Sequence, residues 1–321
     1  MNAICLEDGQ FTVRTDYEKP AIQPGEARLA ISLAGICSTD LEIAKGYVPG
    51  FRGVLGHEFV AIIEAVGDPV HSDWIGRRVV GSINIGCGQC HYCRSHGPEH
   101  CLRRRTLGIH DWDGVFADYA VLPVANLLPV PDNVPDETAV FTEPLAAALR
   151  IREQVVVRPS ARTAVVGPGR LGLLVGLVLA LDGSDVTMLG RRKASLELPA
   201  RLGLQTGLVD AFGDDSFDFV VEATGNEAGF VQALRLVRPL GTLVLKSTFA
   251  GQSAIDLTKL VVAEITTIGS RCGPFAPALR LLAQESVPVQ ALIDGEYPLA
   301  QGLTAFEHAA RSGVRKILLR P

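Results

Sequence analysis

Four cysteines, Cys87, Cys90, Cys93 and Cys101, fall within fifteen residues in the run CGQCHYCRSHGPEHC. The spacing C-x2-C-x2-C-x7-C offers four thiolates from one loop. Such a set fills a tetrahedral zinc ion and leaves no position for a substrate, so it reads as a structural site. The first three cysteines also match the start of an iron–sulfur run. The fourth, however, comes seven residues later instead of three and precedes Leu102 instead of proline. Zinc therefore fits better, with an iron–sulfur electron-transfer protein as the alternative. His91, His96 and His100 are not needed as ligands and read as surface residues.

A catalytic zinc needs an open position, with three ligands drawn from separate segments. Cys37 lies in GICSTD after a strand, His57 in LGHEF with Glu58 beside it, and Glu143 in FTEPLA before a helical stretch. Each has an ordinary reading too. A lone cysteine is most often a small core residue, and a glutamate before proline a helix-start residue. Spacing alone does not bring these residues together.

A second chemistry is written in Gly167-Pro168-Gly169-Arg170-Leu171-Gly172, which follows the strand-like TAVV and opens an apolar helix. Gly167 permits a tight turn, Gly169 lets the backbone approach a pyrophosphate, and Gly172 lets helix and strand pack closely. The helix N-terminus presents free N–H groups and a positive dipole end to the phosphates. About twenty residues on, an acidic residue would select NAD by bonding its ribose 2′-hydroxyl. This chain has Gly190-Arg191-Arg192-Lys193 there. Guanidinium groups bind a 2′-phosphate through charge-assisted hydrogen bonds of roughly 1.5–3 kcal/mol each. The expectation is NADP over NAD.

The elements that must position these residues fall into two textures. The N-terminal part reads as β-rich, with strands at 27–33, 59–66, 78–83 and 115–121. From Thr163 strand and helix alternate: strands at 163–166, 185–189, 217–221 and 241–245, and helices after Gly169, near 193–202 and near 228–237. That alternation predicts a doubly wound parallel sheet. The pattern stops near Pro288. The domain expectation is 1–150 with 288–321, and 151–287.

Two domains suit 321 residues, and 47% hydrophobic content suffices for two cores. A net charge of −5 argues against nucleic acid, and the basic run 103–105 reads as a solvated loop. The start MNAICLEDGQ has no signal-peptide pattern. The apolar run 171–181 is shorter than the roughly 20 residues of a membrane span. The reading is a cytoplasmic protein, without nucleic-acid or membrane partners, whose seven cysteines stay reduced.

Taken in order, GICSTD, GHE, the cysteine quartet, EPLA at Glu143, GPGRLG and EATG at 222–225 make the chain resemble the zinc-containing medium-chain dehydrogenases: alcohol, sorbitol, threonine and glucose dehydrogenases. The resemblance implies an α/β architecture, a GroES-like β-barrel catalytic domain joined to a Rossmann domain with the active site in the cleft between them. It implies two zinc ions per chain, NADP, a small alcohol, polyol or sugar substrate, and a homodimer or homotetramer paired through Rossmann sheets. Residue by residue, it makes Cys37, His57 and Glu143 the catalytic zinc ligands and puts Glu58 beside the metal. Thr39 becomes the hydroxyl that takes the substrate proton. Glu42 stands where liver-type enzymes have a relay histidine. Thr224 and Arg271 are cofactor contacts, with Ser247 and Thr248 as further candidates. His110, Asp111 and Trp112 fall in a loop that helps line the substrate pocket in the family, although packing explains them equally well. Cys5 and Cys272 read as packed thiols. The implied reaction is hydride transfer between a hydroxyl carbon and NADP, assisted by an open zinc that acidifies the hydroxyl. A protein of the same fold that binds NADP and zinc without this activity is the alternative within the fold. A zinc-ribbon binding module is the other alternative, disfavoured by the acidic balance and the dinucleotide turn.

Overall fold

The computed structural model describes residues 1–248 and 255–321. The chain divides into two compact units, 1–143 with 275–284 and 289–321, and 144–274 with 285–288. The first boundary lies at Glu143/Pro144, inside the helix Thr142–Gln154, where the sequence places it at 150/151.

The first unit holds β1 (Ala3–Glu7), β2 (Gln10–Arg14), β3 (Glu26–Gly35), β4 (Gly53–Val54), β5 (Glu58–Val66), β6 (Arg78–Gly81), β7 (Asn84–Ile85), β8 (Arg105–Thr106), β9 (Tyr119–Pro123) and β10 (Leu127–Pro129). The second holds β11 (Thr163–Val166), β12 (Val186–Gly190), β13 (Gln205–Leu208), β14 (Phe217–Glu222), β15 (Val237–Leu245) and β16 (Thr266–Gly269). The chain then returns to the first unit with β17 (Ile293–Pro298) and β18 (Lys316–Arg320).

In the first unit, one sheet runs in the order β10-β6-β5-β3-β18-β17. Strand β3 alternates half-buried and buried residues along its first eight positions, as a strand with one face in a core does. It pairs antiparallel with β5 along one edge. Along the other edge it pairs with β9 over its first half and with β18 at its end. The core beneath includes Ile4, Leu6, Leu29, Leu55, Ile63, Phe116 and Leu122, each contributing about 1.5–3 kcal/mol by burial.

Two strands are shorter than the sequence suggests. The expected strand 78–83 ends at Gly81, because the Asn126 side-chain amide donates to Ser82 O and Asn84 O at 2.7 and 2.9 Å and breaks the ladder there. The expected strand 115–121 begins only at Tyr119. Val115 and Phe116 are fully buried but donate to Gly56 O and Leu55 O in a loop crossing.

The second unit is a six-stranded sheet, β13-β12-β11-β14-β15-β16, with every pair parallel. The order reverses between β11 and β14, the switch point at which doubly wound sheets bind ligands. The helix Arg170–Ala180 is buried from Gly172 to Leu179. Its Gly176 permits close packing: a Cβ there would lie 2.4 Å from Met188 Sδ. Among the described residues, no helix is long and apolar enough to cross a membrane.

Candidate zinc centres and dinucleotide turn

The end of β3 and the start of β5 lie side by side, with Gly35 opposite Glu58. Cys37 follows β3 and caps the helix Ser38–Ala44 with extended backbone. His57 immediately precedes β5. Donor atoms of Cys37, His57 and Glu58 all lie within 4.8 Å of one another, and His57 and Glu58 are buried. A thiolate, an imidazole and a carboxylate are zinc donors, and bonds of about 2.0–2.3 Å leave tetrahedral ligands well inside that separation. Three donors leave a fourth position open.

Asp40, fully buried, orients two of the three. One oxygen accepts the Cys37 backbone N–H at 2.8 Å. The other lies 3.3 Å from His57 Nδ1, and among the described residues neither of those two atoms has another hydrogen-bond partner. Nδ1–H directed at Asp40 leaves Nε2 free for an ion, the usual carboxylate–histidine–metal arrangement. Burial depresses the His57 pKa, but the charge of Asp40, its hydrogen bond and the neighbouring Cys37 outweigh that and hold it well above the ordinary value.

The remaining expectations separate. Thr39 is half-buried, with its hydroxyl 3.7 Å from Cys37 Sγ. Glu42 is engaged by Lys45 at 2.8 Å in a surface pair. Glu143 sits in the first turn of its helix, where a carboxylate suits the helix dipole. It is not among the three clustered donors; Glu58 is. Glu58 in turn makes a buried ion pair with Lys316.

Cys87, Cys90, Cys93 and Cys101 also converge within 4.8 Å. Cys90 Sγ and Cys101 Sγ are 3.9 Å apart, near the about 3.8 Å of a tetrahedral zinc–sulfur site. Backbone N–H groups point at the sulfurs: Cys93 N at Cys90 Sγ, and both Cys87 N and Arg103 N at Cys101 Sγ. Backbone donors at Gln89 and Cys90, with the Arg103 side chain, lower the Cys87 pKa to about 5. Burial, then hydrogen bonds to Cys90 and Cys101, raise that of Cys93 to about 11. His91, His96 and His100 are exposed.

In the second unit the three glycines of the turn behave differently from one another. Gly167 has φ +106°, open to glycine at little cost. A Cβ at Gly172 would lie 1.9 Å from Gly167 O. A Cβ at Gly169, the cap of the helix Arg170–Ala180, would meet nothing within 4 Å, so backbone faces open space at the helix N-terminus. That cradle fits a pyrophosphate. Leu171 is half-buried in the helix's first turn. Gly190 ends β12, and Arg191 and Arg192 follow it, both exposed. At the ends of β14 and β15, buried Glu222 accepts from Thr224 N and Oγ1, both at 2.6 Å, and from Ser247 Oγ at 2.8 Å. Thr224 is thus fixed in the crevice loop. Arg271 is exposed after β16, with a guanidinium nitrogen 3.5 Å from Cys272 Sγ.

Trp112 Nε1 donates to Val121 O at 2.8 Å and the ring packs on the first unit's core, while His110 and Asp111 are exposed. Cys5 is a core thiol whose pKa burial raises to about 11. Sequence reasoning missed Asp40, Lys316 and Lys246. Asp40 had a signal, an acidic residue three positions after a helix cap. Lys316 is a cation opening a strand, KILLR, whose three middle residues are apolar. Lys246 is buried after β15, with Nζ at 3.3 and 3.2 Å from Ser270 O and Oγ.

Comparison with known proteins matches residues 23–132 to the alcohol dehydrogenase GroES-like domain and residues 171–284 to the zinc-binding dehydrogenase domain. A sorbitol dehydrogenase from Halalkalibacterium halodurans is 30% identical, the alignment covering 98% of this chain and 96% of that protein. The chain belongs to the zinc-containing medium-chain dehydrogenases. Its architecture is a GroES-like domain plus a Rossmann domain. It is a zinc-dependent oxidoreductase that acts on CH–OH groups with a nicotinamide cofactor. Two solved structures superpose with TM-score 0.90 and cover all of this chain and 99% of theirs. One, from Sinorhizobium meliloti 1021 and 26% identical, is assigned as a zinc-binding dehydrogenase and is bound to NADP. The other, 25% identical, is a short chain alcohol dehydrogenase (rspB) from Escherichia coli CFT073, in complex with NADH.

Proposed function

We propose that this chain oxidises a polyol or sugar alcohol, with NADP preferred, at a zinc held by Cys37, His57 and a carboxylate. The observation that carries the reading is the convergence of Cys37, His57 and Glu58, with Asp40 orienting the first two. The geometry favours Glu58 as the third donor, whereas the family resemblance favours Glu143. A zinc ion there supplies Lewis acidity toward a bound hydroxyl. Thr39 receives the substrate proton; its position beside Cys37 Sγ supports this. Glu42, at the surface, passes the proton outward. The nicotinamide supplies the hydride chemistry, and the second unit holds the dinucleotide at Gly167, Gly169 and Gly172.

Arg170, Leu171, Thr224 and Arg271 complete the cofactor contacts in this reading. Arg191 and Arg192, with no acidic residue at the end of β12, support NADP. A second zinc at the cysteine quartet serves as a staple. The relative acting on sorbitol supports a polyol substrate. Two copies pair through β16: among the described residues it bonds only β15, and nearby Val261 and Val262 are 74% and 77% exposed. The free thiols of all seven cysteines suit the cytoplasm.

The test is zinc per chain together with kcat/KM for a panel of alcohols, polyols and sugars with each cofactor, read by nicotinamide absorbance. Two zinc ions and NADP-dependent polyol oxidation are expected. One zinc and no turnover would overturn the reading, and light-scattering mass reports the pairing.

A further inference from the structure

Lys316 and Glu58 form an ion pair that is almost completely out of water, with side chains 3% and 1% exposed. Three strands assemble it. Gly35 in β3 lies opposite Glu58 in β5 and beside Leu318 in β18. The pair occupies room that only glycine leaves: a Cβ on Gly35 would come 2.6 Å from Glu58 Oε2 and 3.3 Å from Lys316 Cδ. The ammonium also lies 3.5 Å from Ile36 O and 5.6 Å from the centre of the Phe141 ring. Lys316 thus touches Glu58, the segment leading to Cys37 and the segment leading to Glu143.

An ion pair that served packing alone would face away from the chemistry. Here the paired carboxylate is one of the three donors that converge with Cys37 and His57. That carboxylate would be shared between the Lys316 ammonium, carried by β18, and a zinc ion held by Cys37 and His57. We propose that Lys316 is a positioning residue for the catalytic zinc, engaging one oxygen of Glu58 so that this carboxylate takes a single position on the ion and the fourth stays open. This rests on the reading of Cys37, His57 and Glu58 as that centre. A buried carboxylate requires a compensating partner. With Lys316 present the ammonium supplies much of that compensation. With Lys316 removed, no other cation among the described residues pairs with Glu58, which then binds the metal more tightly and crowds the open position.

The experiment measures zinc release to a chelator and the visible spectrum of the cobalt-substituted full-length protein, for wild type, Lys316→Met and Lys316→Arg. Lys316→Met should slow release from the Cys37 site by on the order of tenfold, the scale of outer-shell effects on metal affinity. It should weaken the cobalt bands, as higher coordination does, and lower kcat more than it changes KM. Lys316→Arg, which keeps the charge, should remain near wild type. On a Glu58→Gln background the Lys316→Met change should have no further effect on release. If Lys316→Met does not fold, Lys316→Gln, uncharged but still able to hydrogen-bond Glu58, is read the same way. Wild-type release and spectrum in the uncharged variant, or an equal effect on both backgrounds, would overturn the proposal while leaving the zinc centre standing. A wild-type protein that binds no metal at Cys37 would overturn both.

Discussion

Asp40 holds Cys37 and His57 with one carboxylate: one oxygen accepts the Cys37 N–H at 2.8 Å and the other faces His57 Nδ1 at 3.3 Å. Outer carboxylates of this kind fix the ring tautomer and raise ligand basicity. Asp40→Asn should therefore weaken zinc at the Cys37 site by roughly 10–100-fold and leave the cysteine quartet loaded. Competition with a zinc indicator measures both sites, and equal weakening of the two would count against the assignment.

The two candidate carboxylates are separable. Glu58 converges with Cys37 and His57, and Glu143 does not. Glu58→Gln should speed release of that zinc by roughly 10–100-fold, with Glu143→Gln close to wild type. The reverse order, read by chelator kinetics, would give Glu143 the third position.

Cofactor choice should follow Arg191 and Arg192. Replacing either with alanine is expected to lower kcat/KM for NADP by roughly ten- to a hundredfold, the value of one charge-assisted hydrogen bond. Activity with NAD should hardly change. Equal losses with both cofactors would show that the arginines serve something other than the 2′-phosphate.

The glycines of the dinucleotide turn should separate stability from binding. A Cβ at residue 172 meets Gly167 O at 1.9 Å, so Gly172→Ala should cost about 1–3 kcal/mol or more by overpacking, measured by thermal denaturation. A Cβ at residue 169 meets nothing. Gly169→Ala should melt like wild type yet bind NADPH at least roughly tenfold more weakly, because the methyl fills the phosphate approach.

The quartet thiols should differ in the metal-free protein. Backbone N–H donors at Gln89 lead the effects that bring Cys87 to about 5, while burial leads those that raise Cys93 to about 11. Between those limits Cys87 is a thiolate and Cys93 a thiol, and the thiolate is the reactive form. Limiting iodoacetamide at neutral pH should label Cys87 first and Cys93 last by peptide mass spectrometry. Lowering the pH through about 5 should abolish the Cys87 preference. Uniform labelling would contradict the hydrogen-bond account.

Local pattern made much of this legible. The strand–turn–helix at 163–180 reads directly from TAVV, GPGRLG and the apolar run, because each step is set within a few residues. Convergence of the quartet is legible for the same reason. Convergence of Cys37, His57 and Glu58 depends on the pairing of β3 with β5, which spacing does not encode. Lys316 is harder still, since its contact with Glu58 spans 258 residues. The early end of the strand 78–83 depends on the Asn126 side chain, which comes from outside the strand.

Strand β18 carries a timing consequence. A ribosome delivers residues 144–274 before it delivers Lys316, so the dinucleotide unit has all its strands while the sheet of the first unit still lacks β17 and β18. Until then Glu58 has no ammonium beside it, and the edge of β3 at Ala34 and Gly35 has no strand to bond. During synthesis, completion of this sheet edge therefore follows delivery of the strands of the nucleotide fold.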